Sequence, residues 1–535
     1  MSPRDALTVA ALGFTLACGL GAGVGPPPRK VAEHRVPVIG VEPVRAIHLY
    51  ENHSSALIAW RRAGVRDRVL VHIDGHSDLD WLPDAAIARL AAAESDELAG
   101  FELHPYTLDD TTHARFAIWN FVYPAVRLGI VRDYVWVVPD GTLAGNGGDD
   151  LVRGLIFGKM QGIGLDEARS LHRVGGVIRG RLLGVPTTIC ELSDLPEFDE
   201  PVLLDVDLDF LTTRSATSQE ITERPWIDPP SLVRRLAARG LRTDLATVSY
   251  STVGGYLPPA CRWLGRAMTD ALEGASEAAT ARAAAHAGAT SWRELTERFP
   301  DEASAWYGLS LEEARAGRAD AAEGARRRAI TIDPVFEDAP LYEADGLWTN
   351  GRYGEALEAY RDYRRLRPLG PFGAYVLRRE AGCLARLMRD DEAIEAFRRV
   401  VVAAPRHGDT RLDLGVLLRE RGDEEGALDE MREARRLLPE QGSYAMALGM
   451  TLARQGRLDD ALSEILDAVR LRPSWAHAQA NAGGLLLEAG RETEALLHLD
   501  AAAFLSPGDP QVLRLLARAS RTGGGARTVT RTAAP

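Results

Sequence analysis

The stretch VLVHIDGHSDLDW, residues 69–81, begins as a buried strand and ends in a run of polar side chains. After the apolar residues up to Ile73, polar side chains stand two positions apart: Asp74, His76, Asp78 and Asp80. Because successive side chains of a strand point to opposite faces, this spacing places all four on one face. Charged groups are rarely buried without partners, so the end of this strand predicts a functional site.

Two other segments carry the same kind of chemistry. PVLLDVDLDFL, residues 201–211, is a second buried-strand run and contains Asp205, Asp207 and Asp209. LYENHSSALIAW, residues 49–60, places Glu51 and His53 just before a helix-like stretch. Between residues 36 and 260 apolar runs alternate with helix-like stretches, which is typical of an α/β domain with a parallel sheet. Ligands gather at the carboxyl ends of parallel strands, so the three segments are expected to converge.

Several carboxylates brought together need a partner, since each buried ion costs several kcal/mol. The side chains can turn into solvent, pair with arginine, or bind divalent metal ions. No arginine stands among the motif residues. Carboxylates together with imidazoles suit Mn²⁺ or Fe²⁺, and also Zn²⁺. Two such ions bridged by shared carboxylates can lower the pKa of a water so that it acts as a nucleophile near neutral pH.

These motifs resemble those of the arginase and ureohydrolase superfamily, which has a three-layer α/β fold around a parallel sheet. HIDGHSD resembles its Asp-x-His-x-Asp motif, LLDVD its second Asp-x-Asp strand motif, and ENHSS the loop that supplies a further histidine. Residues 36–260 are most similar to an arginase-related family that includes the peptide arginases. The segments that carry this similarity are YENHSSAL, HIDGHSDL, WNFVYPAVRLGIV, LLDVDLDFL and TVSYSTVGGYLP.

The resemblance implies a site with two Mn²⁺ ions, for which Fe²⁺ or Zn²⁺ can substitute. Asp74 and Asp205 would bridge the ions, His53 and Asp78 would complete one, and His76 and Asp207 the other. Asp209 would support these ligands from outside. Besides binding metal, Asp78 and His76 are the candidate catalytic residues. Arginases hold the guanidinium with a later glutamate, but TVSYSTVGGYLP contains no acid. Glu51 is the nearest candidate for that role.

The C-terminal half of the chain repeats itself. Seven prolines recur at steps of 34, 34, 37, 34, 34 and 34 residues: Pro300, Pro334, Pro368, Pro405, Pro439, Pro473 and Pro507. Glycines and alanines keep the same register, as in Gly415, Gly449 and Gly483. The pattern resembles the tetratricopeptide repeat, and six copies are predicted over residues 303–507 as an all-α superhelix. Such arrays usually hold a peptide or a partner protein.

The remaining segments are assigned by composition. Residues 1–30 resemble a signal sequence or a disordered N-terminus, residues 262–300 a linker helix with a partial repeat, and residues 520–535 a disordered tail. The net charge of −13 argues against a nucleic-acid binder. Membrane attachment is expected only through the N-terminus, and the sequence leaves open whether the protein is exported, anchored or cytoplasmic.

Two functions from different classes follow from these patterns. The first is a binuclear-metal hydrolase that converts arginine residues of a peptide or protein to ornithine and urea, with the repeats holding the polypeptide. The second is a tetratricopeptide scaffold whose arginase-like domain is structural or inactive. Hydrolysis of an acylated amine is a third interpretation, by analogy with the deacetylase branch of the superfamily, which lacks the second Asp-x-Asp pattern.

Overall fold

A computed structural model of the protein describes residues 36–37, 43–44, 46–108, 115–274, 276–368 and 370–522. The leader predicted at residues 1–30, and all but the first residues of the tail predicted at 520–535, lie outside the described residues. Among the described helices, none combines the length and the apolar composition that crossing a membrane requires.

Within the described residues, the N-terminal region contains a two-stranded and an eight-stranded sheet. The ten strands are β1 Val36–Pro37, β2 Pro43–Val44, β3 Ala46–Tyr50, β4 Arg68–Ile73, β5 Val131–Val137, β6 His172–Val174, β7 Val177–Leu182, β8 Val185–Cys190, β9 Val202–Asp207 and β10 Thr243–Ser249. In the larger sheet the order is β3-β10-β9-β4-β5-β8-β7-β6. The strands that contain or precede the quoted motifs, β3, β4 and β9, therefore lie at its centre and one edge.

The larger sheet is mixed, whereas the sequence analysis expects a parallel sheet. The strands from β3 to β8 in the sheet order are parallel to their neighbours, but β7 pairs antiparallel with both β8 and β6. The turn between β7 and β8 explains the difference. Leu183 and Gly184 have φ values of 48° and 85°, and two consecutive positive φ angles make the tight turn that joins antiparallel strands.

The two faces of the central strands follow the predicted period of two. On β4, Val69, Val71 and Ile73 belong to the main hydrophobic core, which also contains Leu232 and Leu264 from the helices beside the sheet. The alternate residues of β4, β9 and β10 point to the opposite face: Leu70, His72, Leu203, Asp205, Leu245 and Thr247. One face is therefore a continuous apolar core, and the other face carries the polar residues.

Helices connect the strands of this sheet along the chain and continue into the C-terminal half. Those between residues 46 and 298 are Ser55–Arg62, Asp84–Ala92, Leu98–Phe101, Val122–Arg127, Gly147–Asp149, Asp150–Phe157, Leu165–Ser170, Leu192–Asp194, Leu208–Leu211, Pro229–Ala238, Pro259–Cys261, Trp263–Leu272, Ser276–Gly288 and Trp292–Arg298. Pro229–Ala238 begins at Asp228, whose carboxylate accepts a hydrogen bond from the Ser231 N–H at 2.8 Å.

The described C-terminal residues form six helix pairs, a short helix Pro334–Glu337 and a final helix. The pairs are Ala303–Arg315 with Ala319–Ile332, Ala339–Thr349 with Tyr353–Leu366, Gly373–Arg386 with Asp390–Ala403, Gly408–Glu420 with Glu424–Leu437, Gly442–Arg454 with Leu458–Leu471, and Ala476–Glu488 with Glu492–Leu505, and Pro510–Thr522 follows. The glycines in register lie where paired helices approach closely. A Cβ on Gly449, for example, would lie 2.9 Å from the Ile465 side chain.

The chain divides into two compact units. The α/β unit consists of the described residues of Leu16–Gly148 and His172–Pro405, and so contains the sheet and the first three repeats. The C-terminal unit consists of Asp149–Leu171 and the described residues of Arg406–Pro535. This division does not fall between residues 260 and 303, where composition alone separates the predicted domains.

Candidate metal centre

Three neighbouring strands end at the candidate site, and their register places polar side chains side by side. His72 on β4 pairs with Asp205 on β9, which in turn pairs with Thr247 on β10. His72 Nδ1 lies 2.8 Å from Asp205 Oδ2, and the Thr247 hydroxyl donates to Asp205 Oδ1 at 2.5 Å. Two residues further along β9, Asp207 pairs with Ser249. The carboxyl ends of the strands thus converge as the sequence predicts.

His53 reaches the same carboxylates from the segment that precedes the helix Ser55–Arg62. Its Nε2 lies 2.8 Å from Asp205 Oδ2. Its Nδ1 lies 2.9 Å from Asp207 Oδ2 and 3.1 Å from Asp78 Oδ2. The imidazole stacks on that of His72, with 5.3 Å between the ring centroids. We call His53, His72, Asp78, Asp205 and Asp207 the inner group.

His76 and Asp209 form a second group, the outer group. His76 Nδ1 lies 3.0 Å from Asp209 Oδ2 and 3.4 Å from Asp74 Oδ1. The other oxygen of Asp74, Oδ2, lies 3.1 Å from His72 Nε2 and 3.4 Å from His53 Nδ1. Asp74 therefore lies between the two groups with one oxygen towards each, which is the position that a bridging ligand requires.

The cluster contains one histidine that the sequence analysis omits. His72 is fully buried and precedes Asp74 by two residues. The strand ends at Ile73, so Asp74, His76, Asp78 and Asp80 lie beyond it and do not share a strand face as predicted. The period of two applies to His72 itself, so the signal for this residue was present in the quoted stretch. Its position inside an apolar run favours the interpretation as a core residue, and the sequence analysis starts the polar row at Asp74.

The grouping of the aspartates also differs from the one that the resemblance implies. Asp207, expected beside His76, lies against His53. Asp209, expected outside the ligand set, is the carboxylate beside His76. The backbone explains this arrangement, because β9 ends at Asp207 and a short helix, Leu208–Leu211, begins there. The Asp207 side chain caps that helix by accepting a hydrogen bond from the Asp209 N–H.

Glu51 is not among these contacts. Its Oε2 accepts a hydrogen bond from Arg262 Nη1 at 2.5 Å, and Arg262 Nη2 also donates to Asp333 at 3.0 Å. Glu51 Oε1 is buried and has no hydrogen-bond partner among the described residues. Arg262 thus already neutralises Glu51, the acid that the sequence analysis proposes for binding a substrate guanidinium. Glu51 Oε1 stays available for a further hydrogen bond.

The two histidines of the inner group offset part of its carboxylate charge. Burial opposes a charge on His53, but the Asp205 and Asp207 carboxylates outweigh it and hold the pKa of His53 well above its usual value. Burial also opposes a charge on His72, but the Asp205 and Asp74 carboxylates, 2.8 and 3.1 Å from its ring nitrogens, raise its pKa to about 10. In the opposite direction, burial favours the protonated form of Asp205, but the charge of His53 lowers the pKa of this carboxyl to about 2.

Two other aspartates, Asp78 and Asp209, have raised pKa values. Burial and the nearby charge of Asp74 raise the pKa of Asp78 to about 6. Burial and the charges of Asp207 and Asp74 raise the pKa of Asp209 well above its usual value. Without a metal ion the cluster therefore holds more carboxylates than its imidazoles can balance, and some of them keep a proton.

The donor atoms of the cluster fit divalent metal ions. Two of its buried atoms, His76 Nε2 and Asp209 Oδ1, have no partner in the described part of the chain. Three more, His53 Nδ1, His72 Nε2 and Asp74 Oδ2, face only other members of the cluster, at ion-pair distances of 2.9 to 3.4 Å. Ligand atoms of His53, His72 and Asp74 lie within 4.8 Å of one another, and so do those of Asp74, His76 and Asp209. Imidazole nitrogens with carboxylate oxygens are a donor set for Mn²⁺, Fe²⁺ or Zn²⁺.

The backbone around the cluster adopts unusual conformations. Asp78 and Ser251 both have a φ of 46°, in the left-handed region that residues other than glycine rarely adopt. The Ser251 hydroxyl donates to Asp207 Oδ2 at 2.6 Å, so this conformation aims it at the inner group. Residues held in such conformations concentrate at functional sites. Further along the same loop, the Tyr256 ring lies edge-on to His76, with 4.9 Å between the centroids.

The stability of the metal-free protein should fall as the pH rises from about 6.5 to about 10. The pKa of His72 is raised in the folded state, so its contribution is complete below the unfolded value of 6.5 and is lost as the pH passes 10. We expect a loss on the order of a few kcal/mol. Urea unfolding in EDTA at pH 6.5, 8 and 9.5 measures it, and the variant His72→Gln should show a flatter profile. A stability that increases with pH in EDTA would contradict the charge balance described above.

Comparison with known proteins identifies the C-terminal half. The tetratricopeptide repeat family model matches residues 270–335, 341–408, 391–442 and 446–510. Residues 270–510 are tetratricopeptide repeats. The prediction from the proline register is confirmed, and repeats of this kind bind peptides or proteins. The match does not extend to residues 36–260, whose arginase-like fold and metal ligands stay predictions. No curated protein matches the chain.

Two of the solved structures similar to this chain are described as tetratricopeptide proteins. The tetratricopeptide protein YrrB, described as having an unusual peptide-binding site, is 24% identical over 36% of this chain and 98% of its own, with a TM-score of 0.30. The thermophilic protein TTC0263 from Thermus thermophilus is 25% identical over 35% of this chain and 98% of its own, with a TM-score of 0.27. A chain of the APC/C hetero-tetramer Cut9-Hcn1 is 19% identical over 43% of this chain, with a TM-score of 0.32. The match covers 45% of the length of that other chain.

Proposed function

We propose that the α/β unit is a hydrolase that depends on two divalent metal ions. The observation that carries the proposal is the convergence of buried imidazole nitrogens and carboxylate oxygens at the ends of parallel strands, where His76 Nε2 and Asp209 Oδ1 have no partner among the described residues. Buried polar atoms normally have partners, and a buried cluster of carboxylates and imidazoles with unpaired ligand atoms favours bound cations. Mn²⁺ is our first choice, and Fe²⁺ or Zn²⁺ can be held by the same donors.

Asp74 would contribute to both ions. One ion would be held by His53 with ligands from the inner group, and the other by His76 and Asp209. When bound, the ions would lower the pKa of a water nucleophile and stabilise negative charge that develops on the substrate. The chain's own residues would orient the ligands: the Thr247 hydroxyl fixes Asp205 and the Ser251 hydroxyl fixes Asp207.

The substrate that we propose is the guanidinium group of an arginine residue within a peptide or protein, and the products are ornithine and urea. Two features support it: the five segments similar to the family that includes peptide arginases, and the tetratricopeptide repeats, which bind polypeptides. Glu51 would accept a hydrogen bond from the substrate through Oε1, since Arg262 occupies only Oε2. Asp78 and His76 would line the reacting side of the site.

The test is turnover of arginine in peptides by the Mn²⁺-loaded full chain. Binding energy from remote parts of a substrate can position its reacting carbon, so we expect urea from arginine-containing peptides and little from free arginine. Mass spectrometry of the peptide detects conversion of arginine to ornithine, and a urea assay is run beside it. Glu51→Gln should reduce turnover at least about tenfold while the metal content is kept, since it removes a charged hydrogen-bond acceptor. Equal turnover of free arginine would contradict the role of the repeats.

A second candidate is an interaction scaffold in which the metal cluster only stabilises the fold. The confirmed repeats favour it directly, and so does the ion pair that engages Glu51 with Arg262. The same experiment separates the two functions. Two bound metal ions with no turnover of any arginine peptide would support the scaffold.

A further inference from the structure

One segment of the chain lies between two sheet strands in sequence but packs within the C-terminal unit. This segment, Asp149–Leu171, which we call the insert, follows β5 and precedes β6. It consists of the helix Asp150–Phe157, whose hydrogen bonds follow the wide π pattern, a non-helical stretch around Gly162, and the short helix Leu165–Ser170. The sequence analysis assigns no role to these residues.

The insert contacts three consecutive repeats near the end of the second helix of each. Gln161 Nε2 donates to the Glu440 carbonyl at 2.6 Å, just after the helix Glu424–Leu437. The Gly162 N–H donates to the Leu471 carbonyl at 3.2 Å, at the end of the next repeat. In the last repeat, Arg153 Nη1 donates to the carbonyls of Phe504 and Leu505, at 2.7 and 3.0 Å, respectively.

The repeats in turn donate to the insert. The Gly442 N–H donates to Gln161 Oε1 at 3.1 Å, so the Gln161 amide both accepts and donates, as a peptide group would. Arg472, only 3% exposed, donates to the Gly158 carbonyl at 2.5 Å and stacks on Trp475. Arg169 lies over the Phe504 ring at 5.6 Å. These contacts are those of a bound polypeptide segment.

The chemistry of the helix ends explains which side chains the insert uses. The last carbonyls of a helix have no partner within it, and they carry partial negative charge. A guanidinium satisfies two of them at once and is attracted by that charge. Arg153 does this at the end of Glu492–Leu505. We call the surface formed by Glu440, Gly442, Leu471, Arg472 and Phe504–Leu505 the repeat edge. Because of these carbonyls, the repeat edge selects a polypeptide that carries an arginine.

We propose that the insert is an internal ligand and that the repeat edge binds an arginine-bearing polypeptide in competition with it. This competition does not require the proposed metal ions. Because the insert is tethered at both ends, its local concentration is high, and an outside peptide binds weakly until the contacts of the insert are weakened. An arginine-bearing partner is thus bound in two steps, release of the insert and occupation of the edge.

The test uses a fluorescent peptide that copies residues 149–171 and the full-length protein. In the double variant R153A/Q161A we expect the peptide to bind at least about tenfold tighter than in the wild type, since the internal competitor has lost its anchors. Adding R472A should remove that gain, because it deletes the donor to the peptide backbone. R470A is the matched control, since Arg470 is exposed and pairs with Asp467, and it should change nothing. Equal affinity for the wild type and the double variant would overturn the proposal.

A second measurement covers the case in which the double variant does not fold. Hydrogen exchange of the wild type is followed with and without saturating peptide. Displacement of the insert predicts faster exchange within residues 158–171 and continued protection of the Gly442 amide, which the peptide would occupy. Unchanged exchange in the insert at saturation would overturn the proposal in the same way.

Discussion

Asp205→Asn should abolish binding of at least one metal ion and destabilise the metal-free protein by about 3–5 kcal/mol. Asp205 Oδ2 lies 2.8 Å from a ring nitrogen of both His53 and His72, and all three side chains are buried. An amide in its place cannot balance two imidazolium rings, and removal of one partner from a buried ion pair leaves the other charge uncompensated. The same substitution removes a charged ligand from the proposed metal site.

Metal content by elemental analysis and urea unfolding in EDTA measure the two effects separately. Asp84→Asn is the matched control, because Asp84 has the same chemistry in the same unit but its side chain is 86% exposed. It should leave both quantities unchanged. Two metal ions per chain in Asp205→Asn, at wild-type affinity, would contradict the ligand assignment. Unchanged stability in EDTA would contradict the charge balance of the inner group.

Gly255→Ala should destabilise the α/β unit by about 3 kcal/mol or more, from backbone strain and overpacking together. Gly255 has a φ of 77°, and a Cβ there would lie 2.6 Å from Asp345 Cβ and closer still to the Gly346 nitrogen, both on the helix Ala339–Thr349 of the second repeat. Neither atom is the end of a flexible side chain. The loop that carries Ser251 and Tyr256 would have to move away from the repeat.

Gly64→Ala is the control for Gly255→Ala. Gly64 has a φ of 68°, but no atom lies within 4 Å of the position of its Cβ, so only the conformational cost of about 1 kcal/mol applies. Urea unfolding compares the stability of the two variants, and hydrogen exchange shows whether amide protection is lost in Thr243–Ser249 and Ala339–Thr349. If the two substitutions cost the same, the second repeat does not pack against this loop as described. A larger cost at Gly255 shows that the repeats support the loop beside the cluster.

The sequence predicts much of the site because its signals are local. Alternation along β9 places Asp205 on a polar face, Asp74 directly follows the last residue of β4, and parallel strands bring their carboxyl ends together. The same rule could have included His72, but its apolar neighbours favour a core residue. The contact between Asp209 and His76 could not be predicted in this way, because it depends on where β9 ends. Asp209 lies beside His76 because a short helix begins directly after Asp207.

By itself, the sequence determined the elements whose signals repeat at short range: the tetratricopeptide register, the two faces of the central strands and the segments that meet at the cluster. The tertiary structure alone decided the pairing of Glu51 with Arg262, the packing of Gly255 on the second repeat and the position of the insert. These contacts join residues far apart in the chain through single hydrogen bonds and close backbone approaches. Periodicity reports which face a side chain lies on, but it does not report which distant group that face meets.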